Sequence, residues 1–391
     1  MFLRVVRRAT ILIIAVSLLF AVPALANNSG TESPLSPDVP FRLFFPVIGH
    51  NPVEFGYGIM PAENNPASAV GHVQALGLDW VKILLPWKAV EPQQGQYDWG
   101  WIDSQVNPYA AAGINVLLTI SKAPDWARPI DDDRSVEGMP ANPATYAAFV
   151  AQVAGRYAGR IQAIEVWSEQ NIWYEVGGVG RVDPVAYGSL LRQAYHAIKA
   201  TNPTLMVITG GLLPTGAPLP YALDDIEYLD QLYGLGVKGY FDAVGAHPGG
   251  YNCPALADWR TVTDPTALFQ GPFTARHHSW CFLGTMEGYR NVMVSHGDGG
   301  KKIAATNFGW ASAANPINGY QYAADNTFAE QAQWIVEAYQ WGKNSGWVNL
   351  MILWNLDFGE YYPSDNPVIY WSLLRQSGPV PAYSAVASMP K

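Results

Sequence analysis

The sequence is poor in cysteine and in charge. Only Cys253 and Cys281 occur in 391 residues, and the scattered histidines add no zinc spacing. Charged residues make up 14%, and acids outnumber bases for a formal charge of −9. Such a chain offers no basic face to nucleic acid or to an anionic membrane. A glycine-rich phosphate fingerprint is missing: Gly56 and Gly58 stand without a third glycine, which argues against a doubly wound dinucleotide fold. After residue 45 there is no further linker, low-complexity tract or internal repeat. The apolar run Ile11 to Val22 covers 12 residues, whereas a membrane span needs about 20.

What is present begins at the N-terminus. Arg4, Arg7 and Arg8 precede that apolar run, and Ala24-Leu25-Ala26 follows it as a small-x-small cleavage site. This order predicts a signal peptide over 1–26 and a secreted or periplasmic protein. Removing three Arg and no acid moves the charge from −9 to −12. Residues 27–45, rich in Asn, Ser, Gly and Pro, read as a flexible tether. An oxidising compartment favours a Cys253–Cys281 disulfide; two buried free thiols are the alternative. The chain also carries 15 Trp and 21 Tyr. Their flat apolar faces with polar edges suit the C–H faces of sugar rings, although many will serve the core.

Short apolar segments alternate with helical patterns along 46–391, as in βαβ units. Eight strands are predicted: Phe55–Met60, Trp80–Leu85, Asn115–Ile120, Ala163–Trp167, Leu205–Thr209, Ala243–His247, Lys302–Thr306 and Asn349–Trp354. Between them, Tyr146, Phe149, Val150, Val153 and Tyr157 share one helical face behind an Asn142 cap and Pro143. Phe328, Ala332, Ile335 and Tyr339 form another. The expectation is a single (β/α)8 barrel, whose chemistry would sit just past the C-terminal ends of its strands.

Those strand ends carry recognisable runs. The fourth is followed by Trp167-Ser168-Glu169-Gln170-Asn171. On the second, Lys82 precedes Trp87, then Glu91-Pro92, Gly95-Gln96-Tyr97-Asp98-Trp99 and Asp103. The third ends in Pro124-Asp125-Trp126, the sixth in Ala246-His247 with Tyr251 nearby, and the eighth in Trp354. The seventh reads Thr306-Asn307-Phe308-Gly309-Trp310, and Pro381-Ala382-Tyr383 opens the last helix. From about residue 50 onward this resembles the clan A glycoside hydrolases, nearest families 39 and 5. The resemblance implies a carbohydrate partner, no cofactor and no metal, and Glu169 as general acid/base. It points to Lys82, Trp87, Trp126, Ser168, Asn171, His247, Tyr251, Trp310 and Trp354 as sugar contacts. Ser168 and Gln170 depart from the clan's Asn and Pro. A monomer is expected.

One departure bears on the chemistry. The clan places its nucleophilic Glu where this chain has Asn307. A retaining glycosidase uses two carboxyls about 5–5.5 Å apart. A carboxamide is one methylene shorter than Glu and carries no charge. Either the protein works with a second carboxylate, or it binds sugar without turning it over, or Asn307 is an introduced nucleophile knock-out. Glu175, Glu287, Asp357 and Glu360 lie near strand ends and are the candidate replacements. Glu165 is expected inside the barrel, paired with a base such as Lys82, while Glu91 and Asp103 are expected to pair locally.

Overall fold

The computed structural model describes residues 55–391. The expected signal peptide, the tether and the first residues of the barrel segment lie outside the described residues. All eight predicted strands form, in order, a closed parallel barrel: β1 (Gly56–Met60), β2 (Trp80–Pro86), β3 (Asn115–Ser121), β4 (Ala163–Val166), β5 (Met206–Thr209), β6 (Ala243–Ala246), β7 (Lys302–Phe308) and β8 (Val348–Trp354). The ring closes where β8 pairs with β1, from Gly56 with Leu350 to Met60 with Trp354.

The helices around it are α1 (Pro66–Ala75), α2 (Gly100–Ala111), α3 (Pro143–Arg156), α4 (Pro184–Thr201), α5 (Asp225–Gly234), α6 (Phe282–Ser295), α7 (Phe328–Ser345) and α8 (Pro381–Ser388). Asn142 caps α3 by accepting from Ala144 N, and the predicted apolar face is buried. On α7 the face holds at Ala332, Ile335 and Tyr339, but Phe328 is exposed. It opens the helix, where Arg375 lies over its ring at 4.9 Å. None of the described helices is long and apolar enough to cross a membrane.

The two-residue alternation of the strands explains the site's position. Trp80, Leu117, Ala163 and Ala304 pack together inside the barrel. Two residues further along the same strands come Lys82, Thr119, Glu165 and Thr306, all fully buried. A polar layer therefore lies above an apolar one, toward the C-terminal ends. The β7/β8 pairing also shifts register between Ala305 and Phe308, so Thr306 and Asn307 stand in an irregular stretch. Such bulges re-aim side chains at barrel rims.

Candidate active site

Glu165 anchors the polar layer. Lys82 Nζ lies 3.0 Å away in an ion pair with no exposed surface on either side chain. Gly211 N and Thr306 Oγ1 donate to its Oε1 at 2.9 and 2.5 Å, and Thr119 Oγ1 donates to Oε2. Burial alone would raise the Glu165 carboxyl, but Lys82, His247 and Thr119 together hold it well below the usual range. Glu165 is a fixed negative charge beneath the cleft, as expected.

Above it runs a chain of polar contacts. His247 Nε2 lies 3.6 Å from Glu165 Oε1 and 3.5 Å from Lys82 Nζ. The other ring nitrogen, Nδ1, lies 3.0 Å from Glu169 Oε1 in a hydrogen bond. Lys82 Nζ also donates to Asn307 Oδ1 at 3.3 Å. Lys82 and His247 therefore link Glu169, at the end of β4, to Asn307, at the end of β7. Both linked residues keep part of their surface open to solvent.

The backbone here is strained. Among the described residues, the non-glycine residues with positive φ are Lys122 (62°), Trp167 (72°), Glu169 (51°) and Tyr251 (45°). They follow β3, β4 and β6. Each such residue costs about 1–3 kcal/mol unless its surroundings enforce it. Around Glu169 the enforcement is visible. Glu169 N donates to Gly211 O at 2.8 Å, and Gln170 Nε2 donates to Gly210 O at 3.0 Å. Asn171 Nδ2 donates to Leu213 O and Leu223 O, while its Oδ1 accepts from Leu213 N. The β4 loop is thus latched to the β5 loop. Gly211 permits the fit, since a Cβ there would lie 2.3 Å from His247.

Several expected sugar contacts need correction. Lys82 is fully buried and its amine is engaged with Glu165, His247 and Asn307. Trp87 is fully buried against Phe149 and donates to Glu91 Oε2 at 2.6 Å. Trp310 is fully buried and donates to Cys253 O at 2.8 Å, with Gly250 packed on its indole. Asn171 is fully buried and bonded to backbone. These four shape the cleft from behind. Ser168, Trp126, Tyr251 and Trp354 keep partial exposure, and His247 is 5% exposed. Glu91 pairs locally, with Trp87 and Gly95, but Asp103 does not: it reaches across to Arg156 and Tyr157, 53 and 54 positions away.

Other residues at the site escaped the sequence reading. Trp354 packs at 5.0 Å on Trp371, which approaches Tyr322 at 6.4 Å; Tyr322 meets Tyr251 at 4.8 Å, and Tyr251 meets Trp280 at 4.7 Å. The result is an aromatic wall along the loops after β6 and β8, with Tyr322 buried behind it. Trp371, Tyr322 and Trp280 lie in loops without periodicity, so only their residue type hinted at them.

The candidate replacement carboxylates separate clearly. Glu287 stands on α6 in a groove with Trp259 and Arg260, and Glu360 is exposed. Asp357 accepts from Ala62 N at 2.7 Å, joining β8 to β1; burial pushes its carboxyl up to about 6. Glu175, in the 3-10 turn Trp173–Glu175, shares the electrostatic field of Glu169. Protein surrounds it on most sides, yet part of its surface remains open. Burial, countered by Lys122 and reinforced by Glu169 and Glu137, pushes its carboxyl up to about 8.

Comparison with known proteins bears on the barrel itself. A family model described as beta-galactosidase, for glycoside hydrolase family 42, matches residues 63–129, from the end of β1 past β3. The fold is similar to that of a family 39 glycoside hydrolase from Bacteroides cellulosilyticus WH2, with TM-score 0.62 and 21% identity over 85% of this chain. This is a glycoside hydrolase fold. It is also similar to a monomeric beta-xylosidase from Caulobacter crescentus CB15 (TM-score 0.58, 18% identity, 85% of this chain and 67% of that one). A family 53 catalytic domain from Ignisphaera aggregans matches over 88% of this chain and 98% of its own, at TM-score 0.56 and 16% identity. The chain spans 63% of the length of the family 39 hydrolase. Cys253 and Cys281 form a disulfide with Cα atoms 5.3 Å apart, as expected.

Proposed function

We propose that this is a secreted protein that acts on O-glycosidic bonds of a poly- or oligosaccharide held along the aromatic wall, with Glu169 as general acid/base. The observation that carries the reading is the strained, latched placement of Glu169 against His247 above the Lys82–Glu165 pair. A general acid must be held at one point in space, and His247 with the β4 latch does that. Export is supported by the N-terminal charge and apolar pattern alone.

Asn307 favours a second reading, a carbohydrate-binding protein without turnover. Its carboxamide accepts from Lys82 at 3.3 Å but supplies no anion to attack the anomeric carbon. Turnover and binding, measured together, decide between the two. Aryl xylosides, glucosides, mannosides and galactosides test hydrolysis, while calorimetry against oligosaccharides of the same sugars tests binding. Turnover abolished by Glu169→Ala supports the hydrolase. Binding without turnover supports the second reading, and neither activity rejects both.

A further inference from the structure

Another polar cluster stands where the β5–α5 loop meets the insertion between β6 and α6. Asp224 caps α5: its Oδ1 accepts from Glu227 N at 3.0 Å, and its Oδ2 has no hydrogen-bond partner. That same Oδ2 lies 3.3 Å from His277 Nε2 and 3.5 Å from His278 Nε2. One ligand atom from each of the three residues falls within 4.8 Å of the others. Alongside, Asp225 is fully buried. Its Oδ1 accepts from Thr215 N at 3.2 Å and sits 2.9 Å from His278 Nε2, while its Oδ2 also lacks a partner.

The two Asp224–histidine separations suit ligands of one ion better than partners of each other, while His278 Nε2 also meets Asp225 Oδ1 at ordinary hydrogen-bond distance. Tetrahedral zinc holds N and O ligands at about 2.0–2.2 Å, which sets neighbouring ligand atoms about 3.3–3.6 Å apart. Both Asp224–histidine distances fall in that range and exceed a well-formed hydrogen bond. Two unpartnered oxygens on adjacent carboxylates supply two negative charges beside two imidazoles. A divalent cation neutralises the set.

We propose that Asp224, His277 and His278 bind a zinc-class divalent transition metal, with Asp225 as the buried carboxylate behind His278. Both histidines would ligate through Nε2, and any proton held there leaves to solvent on binding. His277 Nδ1 lies 2.8 Å from Ser279 Oγ and accepts from Ser279 N at 3.4 Å, which turns Nε2 toward Asp224; ligation would use the tautomer in which Nδ1 donates to Ser279 Oγ. The three ligands come from two separate segments of the chain, so the ion would bridge them. The metal would pin the start of α5 to the segment ending at Cys281, which the disulfide ties to Cys253. The same insertion carries Tyr251 and Trp280. The pattern is invisible in linear spacing because Asp224 and His277 are 53 positions apart.

The test uses the full chain without an affinity tag, stripped with a chelator and titrated with zinc by calorimetry. One equivalent should bind, and at a free zinc concentration 100 times Kd the unfolding constant should fall about a hundredfold. His277→Ala removes a ligand whose side chain is 35% exposed, so the fold should survive. Its zinc affinity should drop more than about tenfold, and Ser279→Ala should cost about tenfold. If His277→Ala fails to fold, His277→Gln reads the same loss. Cobalt bound to the parent should give the visible bands of a four-coordinate site. The proposal is overturned if the stripped, folded parent shows no saturable single site. Equal zinc affinity in the parent and both His277 variants overturns it too, as does a preference for calcium over zinc.

Discussion

The ends of β4 and β7 face the same cleft under opposite constraints. At β4, Trp167 and Glu169 adopt left-handed backbone, and three consecutive residues, Glu169 to Asn171, bond to the neighbouring β5 loop. At β7, Asn307 sits in an irregular strand end, and its side chain takes one hydrogen bond, from Lys82. The β4 end keeps a conformation that costs stability, whereas the β7 end presents an uncharged carboxamide held by one contact. Strain persists only where surrounding bonds enforce it. The β4 latch therefore holds Glu169 independently of what stands at 307, and the two halves can be perturbed separately.

The largest expected effect is at β7. Asn307→Glu returns a carboxylate to the position where the clan carries its nucleophile, beside a Glu169 already held by His247. Hydrolysis of the best aryl glycoside should rise by at least about a thousandfold, since nucleophilic and electrostatic terms each contribute powers of ten. Adding Glu169→Ala should remove most of the gain. If the single variant stays inert while the parent binds oligosaccharide, the β4 geometry serves binding. If the parent already turns over briskly, another carboxylate fills the role.

The next effect tests what the two halves share. Lys82 touches Glu165, His247 and Asn307 with no access to solvent. Lys82→Met leaves Glu165 as an unpaired buried anion and should destabilise by about 3–5 kcal/mol in urea unfolding. The double variant Lys82→Met with Glu165→Leu should recover much of that loss. A loss below about 1 kcal/mol in the single variant would mean that the polar layer does not couple the two ends.

The Lys82–Glu165 pair was legible in the sequence, because two-residue alternation sends both inward from adjacent parts of the barrel. Glu169 and His247 were marked instead by the resemblance of the runs that follow β4 and β6 to the clan's motifs, at the strand ends where a barrel presents its chemistry. Trp87, Asn171 and Trp310 also follow strands, yet they turn back into the protein. Residue type at a strand end does not fix direction; Glu91, the Leu213 and Leu223 carbonyls and Cys253 O do, and all but Glu91 lie more than forty positions from their partners. Trp371, Tyr322 and Trp280 were illegible because they lie in long loops, where no period reports which residues converge.

A smaller effect concerns the wall rather than either strand end. The Cys253–Cys281 bridge closes a loop of 28 residues in the insertion that bears Tyr251 and Trp280. Replacing both cysteines by alanine should cost about 2–4 kcal/mol. Oligosaccharide affinity should weaken as Tyr251 and Trp280 lose their fixed spacing, while Glu169, latched to β5, keeps its place. Unchanged binding would confine the sugar to the Trp354–Trp371 end of the wall.

The smallest effect separates Glu169 from its neighbour Glu175. Burial, with Glu169 and Glu137 adding to it against Lys122, pushes the Glu175 carboxyl from its ordinary 4.5 up to about 8. A carboxyl raised by folding is protonated in the native state and ionised in the unfolded state between those values. Its stabilising contribution is whole below pH 4.5, declines as pH rises, and is lost above pH 8. Because Glu175 keeps some contact with water, the decline should be only roughly 1–2 kcal/mol. Asp357, raised to about 6, adds its own decline over part of the same window in any variant that retains it. Urea unfolding of the parent and Glu175→Gln should therefore give a steeper fall for the parent between pH 4.5 and about 8, with the two curves parallel outside that window. Curves parallel throughout would mean that Glu175 is ionised beside Glu169 at neutral pH. It would then be an anion in the cleft instead of a proton store, and the β4 end would carry a carboxylate able to act as base for water, a route that needs no nucleophile at β7.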